Sequence, residues 1–211
     1  MYYSTTCPSP VGVITLASDG EKLAGLWLEG QKYYGGAIAG SMTENDDVPV
    51  FSAAKQWLNR YFSGEKTLAS ELPLAPVGSE FRQKVWEILC EIPYGSVITY
   101  GDIAKRIAVM LNRPTMSGQA VGGAVGHNPI SIIIPCHRVV GGNGSLTGYA
   151  GGIATKMKLL ELEGVDMSSL FIPASSRQMD TLARPFDDCC EGECALNARN
   201  GTGQGRAAVS D

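Results

Sequence analysis

The sequence predicts an α+β protein in which short strands come first and helices follow. Two observations carry this. Residues 2–28 are rich in Tyr, Thr, Val, Ile, Leu and Trp and are cut at short intervals by turn residues. From residue 79 onward apolar residues recur at helical spacing between Pro- and Gly-containing breaks. The 211 residues suffice for one large domain or two small ones.

Strands are expected at 2–7, 11–18 and 21–28, separated by Pro8-Ser9-Pro10 and by Asp19-Gly20, a strong hairpin signal. Residues 30–49, with Gly35-Gly36 and Glu44-Asn45-Asp46-Asp47, read mostly as loop. Phe51, Trp57, Leu58, Tyr61 and Phe62 then mark a helix over 50–62, ended by Ser63-Gly64. Pro73, Pro76 and Gly78 make 70–78 a linker. Beyond it, Phe81, Val85, Ile88, Leu89 and Ile92 define an amphipathic helix that stops before Pro93. Thr99, with Asp102 three residues on, caps a helix over 100–111. Asn112-Arg113-Pro114 breaks it, and Ser117 caps a short helix over 118–127. Helix, tight break, helix is the helix-turn-helix pattern, and also that of two packed helices in any α-rich domain. A last helix is expected over 154–163, with Met157, Leu160 and Leu162 apolar and Gly164 as its cap. Glu163 in its final turn opposes the helix dipole.

The composition, 44% hydrophobic and 18% charged, is that of an ordinary globular protein. No apolar run is long enough to span a bilayer, and residues 1–7 lack the marks of a secretory signal, so no membrane association and a cytoplasmic location are expected. The six cysteines are then thiols. Residues 1–78 carry a net charge of −3, residues 79–166 +1 and residues 167–211 −2. The central segment alone is not acidic, which is compatible with approach to a phosphate backbone.

The stretch 132–140 is where chemistry concentrates. Ile132-Ile133-Ile134 reads as a buried strand that Pro135 must end, and Cys136 follows beside His137, one of two histidines in the chain. Thiol chemistry needs a proton acceptor near a rigidly held sulfur. A buried structural cysteine fits the same residues. The helix at 118–127 is also unusual: Gly118, Ala120, Gly122, Gly123, Ala124 and Gly126 leave little side chain on its surface. Glycine costs about 1 kcal/mol relative to alanine in a helix. Something is therefore expected to come close to this backbone, either another helix or a DNA groove.

Residues 81–164 closely resemble the O6-alkylguanine-DNA alkyltransferases (methylated-DNA–protein-cysteine methyltransferases). The resemblance runs through Tyr94-Gly95-Ser96-Val97-Ile98-Thr99-Tyr100, Ala120-Val121-Gly122-Gly123-Ala124, Asn128-Pro129, Ile134-Pro135-Cys136-His137-Arg138-Val139-Val140, Gly148-Tyr149-Ala150-Gly151-Gly152 and Leu159-Leu160-Glu161-Leu162-Glu163-Gly164. It implies a small ribonuclease-H-like α/β domain over 1–72, a linker at 73–78 and a helical alkyltransferase domain with a winged helix-turn-helix over 79–173. A tail over 174–211 has no counterpart.

The implied activity is DNA repair by irreversible, single-use transfer of an alkyl group from O6 of guanine, with O4 of thymine as a further substrate, to Cys136. The resemblance implies a water bridging Cys136 to His137, Glu163 holding the His137 tautomer, Asn128 bracing the turn that carries Cys136, and Tyr100 donating to the leaving group. Substrate reading falls to the Val139 and Cys136 carbonyls, the Ala150 N–H and the Tyr149 wall. DNA contacts fall to Thr99, Tyr100, Gln119, Ala120 and Gly123. The implied partner is double-stranded DNA bearing O6-alkylguanine, bound by a monomer without a cofactor. Gln119 stands where the family often has an intercalating arginine, so weaker base flipping is expected. Some members hold zinc near the N-terminus; here Cys7 is the only cysteine and no histidine precedes 127, so no metal is expected. The tail carries Cys189, Cys190 and Cys194, a spacing that matches no standard zinc pattern; three thiols could hold a soft metal, but the polar composition favours disorder. A cysteine hydrolase and a lesion-binding relative that does not repair remain the competing readings.

Overall fold

A computed structural model describes residues 1–174. The three expected strands, β1 (Tyr2–Cys7), β2 (Ile14–Ser18) and β3 (Leu23–Leu28), form an antiparallel meander, with β2 and β3 starting three and two residues later than expected. A fourth strand, β4 (Met42–Glu44), pairs in parallel with β1, giving the order β3-β2-β1-β4. It lies within the stretch expected to be mostly loop. Three residues are too few to show alternation, and pairing to β1, not local propensity, makes them a strand. Helix α1 (Pro49–Phe62) packs Phe51, Ala54, Trp57, Leu58 and Tyr61 onto the apolar core. Gly64, at φ +85°, ends it as the Ser63-Gly64 pair predicts.

The stretch 70–78 is more than a connector. The Leu23 N–H donates to Pro73 O at 2.8 Å, and the Ala75 N–H returns to Leu23 O at 2.8 Å. Farther along β3, the Leu26 N–H donates to Pro129 O and the Ser131 N–H to Leu26 O, at 2.8 and 2.9 Å. The edge of β3 is thus paired at two points, by the linker and by the 129–131 segment of the helical domain, which covers part of an open sheet edge. One apolar cluster runs from Leu26, Phe51 and Tyr61 to Trp86, Ile134 and Val139, so the sheet domain and the helical domain share a core.

The helices follow their capping signals. Helices α2 (Glu80–Cys90), α3 (Tyr100–Met110) and α4 (Gly118–Gly126) begin after Ser79, Thr99 and Ser117, whose hydroxyls accept from Arg82, Asp102 and Ala120 N–H. Trp86 Nε1 donates to Ala124 O at 2.9 Å and ties α2 to α4. Strands β5 (Ile98–Thr99) and β6 (Val139–Val140) pair in parallel. The final helix, α5 (Ile153–Leu162), buries Lys156, Leu159 and Leu160; Met157 and Leu162 stand at the margin of that face. Its buried stripe therefore includes a lysine.

The run 132–134 is buried but is not a strand. Ile132 has φ +68°, a left-handed conformation in which a β-branched residue is strained. The Ile134 N–H donates back to Ile130 O at 3.0 Å and the Cys136 N–H to Ile134 O at 2.8 Å. The run is apolar because the core surrounds it, and a short apolar run alone does not distinguish burial from β pairing.

Candidate active site

Cys136 opens a single 3-10 turn, Cys136–Arg138, between the 130–135 turn and β6. Asn128 builds this corner. Its Nδ2 donates to Ile134 O at 2.7 Å, Ile130 O at 3.3 Å and Cys136 Sγ at 3.1 Å, while its Oδ1 accepts from the Ile130 N–H at 3.0 Å. One amide thus holds the turn and supplies a donor to the sulfur. Burial pushes the Cys136 thiol up; the Asn128 hydrogen bond and the Lys156 charge pull the other way without cancelling it. The thiol needs a base to react near neutral pH.

His137 is fully buried beside it. Its Nε2 lies 2.7 Å from Glu163 Oε1. A carboxylate accepts only, so Nε2 carries the proton and Nδ1 is left basic. Among the described residues Nδ1 has no hydrogen-bond partner. Burial, joined by the charges of Arg138 and Lys156, lowers the His137 pKa against the pull of Glu163 and keeps the ring neutral. Burial acts to raise Glu163, but the hydrogen bonds from His137 and Arg138 and the Arg138 charge outweigh it and hold the carboxyl at about 2. Arg138 Nε meets Oε2 at 2.8 Å and Nη2 meets Oε1 at 3.0 Å, and Nη1 is anchored on Ile92 O at 2.6 Å. The Gly95 N–H donates to Oε2 at 3.2 Å, and the Tyr61 hydroxyl to Oε1 at 2.8 Å. Glu163 caps the C-terminal end of α5, where its charge opposes the helix dipole; this set of donors offsets that cost.

The residues expected to read the substrate stand around the same corner. Val139 is fully buried, and its carbonyl accepts from the Lys156 ammonium. Lys156 also donates to Thr147 O at 3.1 Å; burial lowers its pKa to about 8, against the pull of Cys136. Tyr149 is buried, with its ring 6.4 Å from that of His137 and perpendicular to it. Ala150 O accepts from the Lys32 N–H at 3.0 Å, which links the sheet domain to the loop 148–152. Tyr100 Oη donates to Thr147 O at 3.1 Å, and burial, with Cys136 adding to it, raises its pKa to about 12. Thr99 caps α3 and also donates to Asp102 Oδ2 at 2.7 Å. Gln119 and Ala120 are exposed on the first turn of α4. A Cβ at Gly118, Gly123 or Gly126 would meet open space, and one at Gly122 only ordinary contact with Tyr100. The packing face of α4 is Val121, Ala124 and Val125, so no helix among the described residues accounts for its exposed glycines.

Three residues of the site carried no assignment from the sequence. Tyr61 reads as one more apolar position of α1, and a helical period says nothing about where a hydroxyl points. Arg138 stands inside the Pro135–Val139 motif without a role of its own. Lys156 had a signal: it precedes Leu159 and Leu160 by three and four residues, on the same helix face.

Two family models match. The one described as 6-O-methylguanine DNA methyltransferase, ribonuclease-like domain, covers residues 1–76, and the one described as its DNA binding domain covers residues 80–165. The chain belongs to the 6-O-methylguanine DNA methyltransferase family. Within that family, it is 45% identical over 163 residues to a methylated-DNA–protein-cysteine methyltransferase of Haemophilus influenzae, covering 77% of this chain and 87% of that protein. It is 46% identical over 165 residues to one of Methanosarcina acetivorans, covering 78% and 99%. The solved structure of Mycobacterium tuberculosis OGT in complex with DNA is similar at a TM-score of 0.66 and 43% identity, over 77% of this chain and 91% of that one. The tail lies beyond both family models, and its residues 175–211, with Cys189, Cys190 and Cys194, lie outside the described residues.

Proposed function

We propose that this chain repairs DNA by taking an alkyl group from O6 of guanine, and from O4 of thymine, onto Cys136, one group per molecule. The observation that carries the reading is the arrangement around one sulfur: a donor on Sγ from Asn128, a neutral His137 with Nδ1 free, and Glu163 fixing the other nitrogen. This is the nucleophile, base and orienter order of covalent catalysis.

The thiol proton of Cys136 passes through a water to His137 Nδ1. The thiolate attacks the alkyl carbon; the S–C bond forms, the C–O6 bond breaks, and guanine leaves with the electron pair. Tyr100, held protonated by its high pKa, turns its hydroxyl from Thr147 O to donate to the departing base. The Val139 and Cys136 carbonyls, the Ala150 N–H and the Tyr149 ring hold that base. The Val139 carbonyl keeps a second lone pair beside the one engaged by Lys156. The product is a thioether, with no carbonyl for water to attack, so the protein is consumed.

The target base must leave the duplex. Helix α4 fits a narrow groove because its exposed face is nearly bare of side chains. Thr99, Tyr100, Gln119, Ala120 and Gly123 face the DNA in this reading, and the chain acts as a monomer. We set the boundaries at 1–72, 73–78 and 79–173. Among the described residues no helix is long and apolar enough to cross a membrane, and we place the protein in the cytoplasm.

The test is intact-protein and peptide mass spectrometry after incubation with O6-methylguanine-containing duplex. A single methyl adduct on Cys136, capped at one per molecule and absent from C136S, is expected. Turnover beyond one equivalent, or tight binding with Cys136 unmodified, overturns the reading.

A further inference from the structure

We infer that Tyr61, from the sheet domain, is a positioning residue for alkyl transfer: its hydroxyl aims the Glu163 carboxylate at His137 and so makes the two domains one active site. The inference rests on the alkyl-transfer reading above.

Tyr61 lies on α1 and is fully buried. Its hydroxyl is 2.8 Å from Glu163 Oε1 and 3.5 Å from His137 Nε2. Glu163 is ionised and Nε2 already gives its proton to Oε1, so the Tyr61 O–H is a donor and Oε1 its acceptor. Burial and the facing carboxylate raise the Tyr61 pKa far above its ordinary value, so it remains a donor near neutral pH. Its ring cannot drift. It stacks on Trp57 at 5.4 Å and 8°, and meets the edges or faces of Phe62, Tyr94 and His137 at steep angles.

Oε1 therefore receives three donors, from Tyr61, His137 Nε2 and Arg138 Nη2. Arg138 and the Gly95 N–H define the carboxylate plane on one side. Tyr61 approaches from the sheet domain and also draws electron density from Oε1. It thereby limits how strongly the carboxylate favours a protonated His137. The charged groups that act on His137 are Glu163, Arg138 and Lys156, with Tyr61 and Tyr149 against its ring. Of these, only Tyr61 comes from outside the helical domain.

Tyr61→Phe removes the donor and keeps the ring. The measurement is the single-turnover rate of methyl transfer from O6-methylguanine duplex to Cys136, followed from pH 5 to 9 with the fraction alkylated at completion and duplex affinity recorded. The expected result is a rate about tenfold lower, the low end of what losing an outer partner costs where such partners orient metal-bound histidines. The acidic limb of the profile should move to higher pH, because Glu163 then favours protonated His137 more. Complete final alkylation and unchanged affinity should accompany this. An unchanged rate and profile overturn the inference, as does a loss confined to the fraction alkylated, which marks a purely structural role. If wild type itself acquires no adduct on Cys136, it is the alkyl-transfer reading that has failed.

Discussion

Arg138 and Glu163 form a two-point pair inside the protein, Nε to Oε2 at 2.8 Å and Nη2 to Oε1 at 3.0 Å, from side chains that are 7% and 0% exposed. The carboxylate that orients His137 is therefore also the counter-charge of a buried guanidinium. Site chemistry and stability cannot be separated here.

This coupling predicts acid sensitivity. Glu163 ionises at about 2 in the folded chain against an ordinary value of 4.5. Between those values the unfolded chain binds the extra proton, so stability falls as pH falls. The contribution is complete above pH 4.5, is lost as pH approaches 2, and is about 3 kcal/mol at its full size. His137, whose pKa is also depressed, acts in the same direction below its ordinary value. Denaturant titrations at pH 7, 5 and 3 should show the loss, with a shallower acid slope in Glu163→Gln. An equal slope in both proteins would sink the assignment.

Asn128→Ala should damage fold and thiol together. It leaves the buried Ile130 N–H without its acceptor, strips the second donor from Ile130 O and Ile134 O, and removes the hydrogen bond to Sγ. The expected cost is about 2–3 kcal/mol. The Cys136 thiol should also titrate at higher pH, because the amide helps to lower it. Iodoacetamide labelling of Cys136 against pH checks this, and an unmoved midpoint contradicts it.

Gly148→Ala should act through Tyr100. Gly148 has φ +76°, and a Cβ there would lie 2.7 Å from Tyr100 Oη. Strained backbone and a displaced hydroxyl should together lower stability by about 1–2 kcal/mol and slow methyl transfer. In a Tyr100→Phe background the clash is relieved, so the second substitution should cost less. Strict additivity in that double-mutant cycle would refute the contact.

Gln119→Arg should tighten DNA binding. Gln119 is exposed on the first turn of α4, where an added cation can reach a phosphate or the gap left by a flipped base. The slope of log affinity against log salt should steepen by about one, and Gln119→Ala should slow repair. Anisotropy titrations at several salt concentrations decide the first point. Unchanged affinity and rate in Gln119→Ala would remove Gln119 from the flipping step.

The elements legible in advance were those with local causes. Thr99 and Ser117 capped α3 and α4 because a hydroxyl beside a hydrophobic period satisfies the same N–H groups wherever it stands. The Pro135–Val139 motif named Cys136, and glycine content singled out α4. Elements made by distant partners were hidden. Strand β4 exists because β1 pairs with it, and 132–134 turns under Asn128 where its composition suggested a strand.

The sequence by itself determined the first three strands and the capped helices, because these rest on residue type and neighbours along the chain, and through the family resemblance it pointed to Cys136 and His137. Only the tertiary structure decided that Glu163 is shared by Tyr61, His137, Arg138 and Gly95. Tyr61 is 102 residues from Glu163 along the chain. A hydrogen bond across that separation follows from the shared core, which no local pattern encodes.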